Sequence, residues 1–175
     1  LLEEVLDGLD EPMRSFLLVT SILERMNAPL CDAVSGRSDS RDLLLKAERG
    51  NLFVIPLDDR REWYRYHHLF AGALRGRLEL ELADQVPAIH LRASDWFSRF
   101  GMYAQAIHHA FEGGDADRAA ALLELVWPEM DENYHSAPWL RWVNRLPEEY
   151  IEARPLLSLG LAWALLNRGD LELAE

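Results

Sequence analysis

The stretch Glu62-Trp63-Tyr64-Arg65-Tyr66-His67-His68-Leu69-Phe70 decides the fold. Just upstream, Leu52 to Leu57 is a short apolar run with β-branched residues, and the polar quartet Asp58-Asp59-Arg60-Arg61 separates the two segments. That order predicts strand, tight turn, strand, with Trp63 and Tyr64 opening the return strand. Alternation along it puts Trp63, Arg65 and His67 on one face and Tyr64 and Tyr66 on the other. Trp63 is expected to be buried, packing this hairpin against a helical core. From Leu69 the period changes, because Leu69, Phe70, Ala73, Leu74 and Leu78 recur at helical spacing. The histidine pair therefore sits where a strand hands over to a helix. A helix start offers unpaired backbone N–H groups and the positive end of the dipole, a favourable place for an anion.

Working outward toward the N-terminus, the pattern is short helices. Leu1, Leu2, Val5, Leu6 and Leu9 predict a short amphipathic helix. Asp10 can cap the next helix, with Pro12 in its first turn. That helix turns Met13, Phe16, Leu17, Thr20 and Leu23 inward and is expected to end near Met26-Asn27. Pro29 restarts a helix through Leu30, Cys31 and Val34, stopped by Gly36. Ser38 or Ser40 caps a fourth, with Leu43, Leu44, Leu45 and Ala47, closed by Gly50. Short helices beside a two-stranded wing are the outline of a winged helix, assigned to residues 1–82.

Working outward toward the C-terminus, residues 83–175 read as helix after helix. Ala83 to Phe100 is the first, followed by Met102 to Phe111 up to Gly113-Gly114. Asp115 caps a helix with Ala119, Leu122, Leu123 and Val126 inward. Pro138 to Leu146 is short and rich in Trp. The last pair begins at Pro155: one helix is expected to face its core with Leu156, Leu159, Ala162, Trp163 and Leu166, and Asp170 opens a truncated second one. Gly114-Asp115-Ala116 and Gly169-Asp170-Leu171 form a weak internal repeat of a helix, a Gly-Asp turn and a second helix. That is how a tetratricopeptide-like pair looks, although the spacing exceeds the usual ~34-residue period. The predicted fold class is mainly α: a winged helix followed by an α-α helical-repeat superhelix.

Charge limits the function. The chain carries 18 basic and 30 acidic side chains, a formal net charge of −12. Residues 1–82 hold 11 against 15 and residues 83–175 hold 7 against 15, and only one of the basic residues is Lys. Holding DNA takes clustered cations on phosphates, so neither half is expected to bind it alone. The single cysteine, Cys31, excludes an internal disulfide and is compatible with a cytoplasmic location. No run is long enough to span a membrane, and the acidic, amphipathic start does not read as a signal peptide. Beginning at Leu1 rather than Met, the chain is expected to be a piece of a longer protein. It holds no G-x-x-x-x-G-K-[ST] loop, so no ATP hydrolysis is expected of it alone.

Several segments carry a family resemblance. The Trp63-Tyr64-Arg65-Tyr66-His67 run resembles the end of the wing in MalT-like bacterial regulators of the LuxR family. These are large ATP-dependent transcriptional activators of the signal-transduction (STAND) NTPase type. Ser21 to Met26 with Ala28-Pro29-Leu30-Cys31, and Asn51 to Asp58, are similar to the same family. So are His90 to Phe97, Ala106 to Ala110, and Trp142 to Leu146-Pro147-Glu148, and the resemblance covers essentially all 175 residues. It implies the junction of a winged-helix arm with the start of a tetratricopeptide-like sensor domain, in a cytoplasmic activator. It further implies an upstream NTPase domain that binds ATP or ADP and hydrolyses it slowly, more repeats downstream, and a small-molecule inducer or inhibitory protein as partner. No cofactor, DNA or membrane is expected for this segment itself.

The one candidate site follows from a wider resemblance. In plant resistance and apoptosome NTPases, a winged-helix methionine-histidine-aspartate motif contacts the phosphate of bound ADP. Tyr66-His67-His68-Leu69 is similar in position: His67 matches the histidine, while Tyr66 and His68 stand in for the methionine and aspartate. The resemblance implies that His67 senses the nucleotide, with Arg65 one step back on the same face. Plain packing at a strand end is the competing reading of the two histidines. His108 and His109 lack a partner at metal-ligand spacing, as do His90 and His135, so no metal site is expected. The six Trp fall mostly at apolar helical positions and read as core. Two other functions compete with regulation. A free-standing DNA-binding winged helix would read bases with Arg41, Lys46 and Arg49, but Asp39, Asp42 and Glu48 offset those charges, and Asp58 and Asp59 offset Arg60 and Arg61. A pure helical-repeat scaffold leaves the wing unexplained.

Overall fold

Buried apolar side chains at helical spacing, interrupted by one hairpin, fold the chain into two compact units, residues 1–96 and 97–175. The computed structural model describes residue 6, residues 8–132 and residues 136–168. Most of the predicted N-terminal helix and the second copy of the Gly-Asp repeat lie outside the described residues.

The first unit starts with helix α1 (Glu11–Thr20), whose first turn is capped by Asp10: the carboxylate accepts the Met13 N–H at 3.0 Å. This helix stops at Thr20, short of the expected Met26. Ser21 begins a tight turn, its N–H and hydroxyl both donating to the Leu18 carbonyl. The segment up to Met26 is then drawn out to pair with the wing. Helix α2 (Ala28–Ser35) is capped by Asn27 and ended by Gly36, whose φ of 72° suits a residue without a Cβ. Helix α3 (Ser40–Arg49) departs from its expected cap. Ser40 is its first residue rather than a cap, and the Ser40 N–H is taken by Asp32 from α2 at 3.1 Å. Asp39, in the cap position, is instead held by Arg37.

Strands β1 (Val54–Pro56) and β2 (Tyr64–Tyr66) form the wing, antiparallel, with Val54 opposite Tyr66 and Pro56 opposite Tyr64. Tyr64 also exchanges two backbone hydrogen bonds with Met26, at 2.8 and 2.9 Å, so the wing is stitched to the segment before α2. Helix α4 (His68–Glu81) follows, and α1 packs against α2, α3 and α4. The Glu81 carboxylate receives Arg14 of α1 at 2.5 Å, and that hydrogen bond, helped by Arg77, holds it below the ordinary carboxylate range.

The sense of the wing's alternation corrects one expectation. Tyr64 and Tyr66 are buried, Arg65 is exposed, and Trp63 is only half-buried. The tyrosines, not Trp63, seat the wing on the core. The Tyr66 hydroxyl lies 2.6 Å from the Thr20 hydroxyl, which also lies 2.7 Å from the Phe16 carbonyl. Burial pushes the Tyr66 phenol well above its ordinary pKa.

After a short 3₁₀ turn (Ala83–Gln85), helix α5 (Val86–Arg99) crosses the division between the units. Arg92 explains why the first part of α5 stays with unit one: its Nε donates to the Val34 carbonyl of α2 at 2.7 Å.

In the second unit, α6 (Tyr103–Glu112) packs on α7 (Ala116–Glu132), which packs on α8 (Ser136–Val143). A short α9 (Glu148–Glu152) leads to α10 (Pro155–Arg168), which lies on α7 and α8. The Gly-Asp turn behaves as expected, Asp115 accepting the Arg118 N–H at 2.9 Å. The inward face of α10 does not. Leu156, Leu159, Trp163 and Leu166 are exposed, and Leu157, Gly160 and Ala164 face inward. The reason is the two indoles beneath. A Cβ on Gly160 would come within 2.9 Å of Trp139 and 3.0 Å of Trp127, so the helix can close on them only where a residue lacks a Cβ. The reading of all six Trp as core is corrected too: Trp96 and Trp139 are buried, Trp63, Trp127 and Trp142 are half-buried, and Trp163 is 47% exposed.

Candidate functional site

His67 occupies the position before the first residue of α4, with φ −59° and ψ 134°. Its two backbone groups belong to different elements. The N–H donates to the Phe53 carbonyl at 2.8 Å, extending the wing ladder, and the carbonyl accepts the Ala71 N–H at 2.9 Å in the first helical turn. The imidazole makes no capping hydrogen bond to the helix. It is half-buried and lies 4.5 Å, centre to centre, from the exposed ring of His68. Leu69 next to it is 71% exposed, and Phe70 is buried beneath.

Arg65 projects from the outer side of β2 and is exposed. It shares the strand face of His67 by alternation, as expected, but no hydrogen bond joins the two side chains. Neither forms an ion pair with any other described residue. The arrangement therefore offers an uncommitted imidazole, an uncapped helix start and a free guanidinium along one edge of unit one. Chemically, it can donate hydrogen bonds to an oxyanion brought from outside.

The chain's preceding turn into β1 is unusual. Asn51 and Phe53 both hold positive φ, 52° and 56°, a conformation few residues with a Cβ adopt. Phe53 keeps its ring half exposed, 5.0 Å from the Phe70 ring.

His109 is 4% exposed and stacks on Phe97, 5.4 Å away and nearly parallel. Among the described residues, no three His, Cys, Asp or Glu side chains gather as a metal ion would need. No described helix is long and apolar enough to cross a membrane.

Sequence reasoning missed a second feature, because it matched charges by proximity along the chain. The carboxylates expected to offset the arginines of α3 and the wing are mostly committed elsewhere. Asp39 binds Arg37, and Glu48 binds Arg61 at 3.0 Å. Asp58 accepts the backbone N–H groups of Glu62 and Trp63, which holds its carboxyl below the usual range. Arg41 and Arg60 are left without an ion pair among the described residues.

Against this geometry, residues 2–86 match the family model of the MalT winged helix domain. The chain is MalT-like. Its MalT winged helix domain covers the wing and the His67 edge and ends at the start of α5. The chain is 38% identical over 171 residues to the HTH-type transcriptional regulator MalT of Klebsiella pneumoniae, covering 96% of this chain and 19% of that protein. It is 37% identical over 166 residues to MalT of Yersinia pestis, covering 93% and 18%. It is also 38% identical over 168 residues to the serine/threonine-protein kinase PknK of Mycobacterium tuberculosis, covering 95% and 15%. The chain thus spans less than a fifth of each relative, and the similarity runs through both units.

Proposed function

We propose that this MalT-like segment is a regulatory module of a transcription activator. Its winged helix closes over a nucleotide held by a neighbouring NTPase domain, and its helical repeats receive an inducer or an inhibitory protein. The uncommitted imidazole of His67 at the start of α4 carries this reading. An arriving phosphate meets a side-chain donor and a helix start together, with Arg65 behind them. Losing one charge-assisted hydrogen bond of ~1.5–3 kcal/mol shifts a two-state switch by about ten- to a hundredfold. In the full-length protein, His67→Ala is therefore expected to raise activity without inducer and to weaken retention of ADP. Normal ADP retention together with full inducer dependence would make His67 a packing residue.

The similarity to proteins named as a transcriptional regulator and as a protein kinase supports a wider form of the proposal. The module transmits a ligand state, and what it controls depends on the domains attached to it.

A further inference from the structure

Beside the wing lies a cavity of about 300 Å³ at the meeting of three segments: the start of α2, helix α3 and the wing turn. Pro29, Leu44, Trp63 and Tyr64 supply its apolar walls, and Arg41 from α3 and Arg60 from the wing turn line it. It is separate from the His67 edge and independent of the function proposed there. We propose that this cavity is a binding site for a phosphate monoester carried on a flat ring.

Three observations support this. The first is charge. In a chain of net charge −12, two guanidinium groups without ion pairs among the described residues face one cavity, and the third arginine lining it, Arg61, is already paired with Glu48. Arg25 adds a further positive charge, its guanidinium carbon 5.6 Å from the centre of the Trp63 ring. Among the described residues Glu62 is the one carboxylate lining the cavity, and nearby Asp58, bound to backbone, acts on Arg60 through its charge. Two guanidinium groups outside any ion pair among the described residues suit a dianion better than a single carboxylate ligand.

The second is the rigidity of the frame. Arg61 holds a positive φ of 54°, which for a residue with a Cβ is strained and persists only where the surroundings enforce it. Here the enforcement is visible: Asp58 ties down the turn's N–H groups, and Glu48 anchors the Arg61 side chain to α3. On the other side, the Met26–Tyr64 hydrogen bonds lock the wing to the approach to α2. The cavity's arginines therefore stand on fixed backbone, which lowers the ordering cost of binding.

The third is Trp63. The wing leaves it half-buried at this cavity while its neighbours Tyr64 and Tyr66 are packed into the core. A flat wall between cations suits an aromatic or heteroaromatic ring bearing a negative group. The volume lies at the small end of the range for small-molecule sites.

The test is a titration of the 175-residue chain with phenyl phosphate, inorganic phosphate and benzoate, followed by the Trp63 indole N–H resonance. Phenyl phosphate is expected to bind saturably and more tightly than the other two. Arg41→Gln and Arg60→Gln are each expected to weaken it about tenfold, with the melting temperature unchanged because both side chains are exposed. Arg49→Gln, the same charge change outside the cavity, is expected to leave binding as it was. Absence of a saturable shift overturns the proposal, and so does an equal loss in Arg49→Gln. Inorganic phosphate binding as tightly would remove the ring from the ligand, and benzoate binding as tightly would remove the dianion. A DNA duplex that binds the chain and loses affinity in the Arg41 and Arg60 variants would reassign the cavity to nucleic acid.

Discussion

The two units are closed by different kinds of contact. Up to Trp96, segments far apart in sequence are tied together: Met26 to Tyr64, Thr20 to Tyr66, Arg14 to Glu81, and Val34 to Arg92. From Phe97 onward, helices meet mainly their neighbours along the chain, α6 on α7, α7 on α8, and α10 back on both. The surfaces differ accordingly. On α4, the exposed Leu69 and Leu80 sit singly at opposite ends. On α10, Leu156, Leu159, Trp163 and Leu166 make a continuous exposed apolar stripe. A fold closed by long-range pairing uses up its apolar faces. A stack of helices that meet mainly their neighbours leaves apolar side chains on the face of α10 turned away from α7 and α8.

Three substitutions would break or sharpen that contrast. The largest effect is expected from Trp139→Ala. Trp139 is fully buried under α10, and its indole N–H donates to the Leu123 carbonyl at 3.0 Å. Truncation should cost ~3–5 kcal/mol in urea denaturation followed by circular dichroism. A loss below about 1 kcal/mol would mean that α10 is not held by the two indoles.

A smaller loss is expected from Tyr66→Phe, which removes only the hydroxyl facing Thr20. Thr20 keeps its bond to Phe16, so the cost should be about 1 kcal/mol, read as a lower denaturation midpoint with unchanged slope. An unchanged midpoint would leave the wing seated by apolar contact alone.

The smallest is expected from Leu159→Gln on the open face of α10, where the side chain is 63% exposed. Stability should move by less than about 0.5 kcal/mol in urea denaturation. A loss comparable to Trp139→Ala would show that the stripe is already packed in this chain, and the contrast between closed and open units would fail.

Much of this was legible from local chemistry. The strand-turn-strand-helix order came from β-branched runs, a polar quartet and a change of period, and the caps Asp10 and Asp115 came from short polar side chains before apolar helical runs. The position of His67 at the start of α4 followed from the same change of period at Leu69. These are properties of neighbouring residues along the chain. What stayed illegible depended on residues far apart. Alternation placed Trp63 opposite Tyr64 and Tyr66, but only the core decided which of the two faces was buried. Periodicity found an apolar stripe on α10, but the bulk of Trp127 and Trp139 forced the helix to approach through Gly160 instead. Adjacent acids suggested that Arg41 and Arg60 were paired, yet Glu48 binds Arg61 and Asp58 binds backbone, acting on Arg60 only through its charge, so neither arginine forms an ion pair among the described residues. Capping, turn formation and periodicity act over a few residues, so the order of the elements and most of their ends could be read along the chain. The end of α1 at Thr20 could not, because the segment up to Met26 pairs with the distant wing. The tertiary structure alone decided which faces meet and which charges remain free, because volume and ion pairing are settled between side chains that only folding brings together.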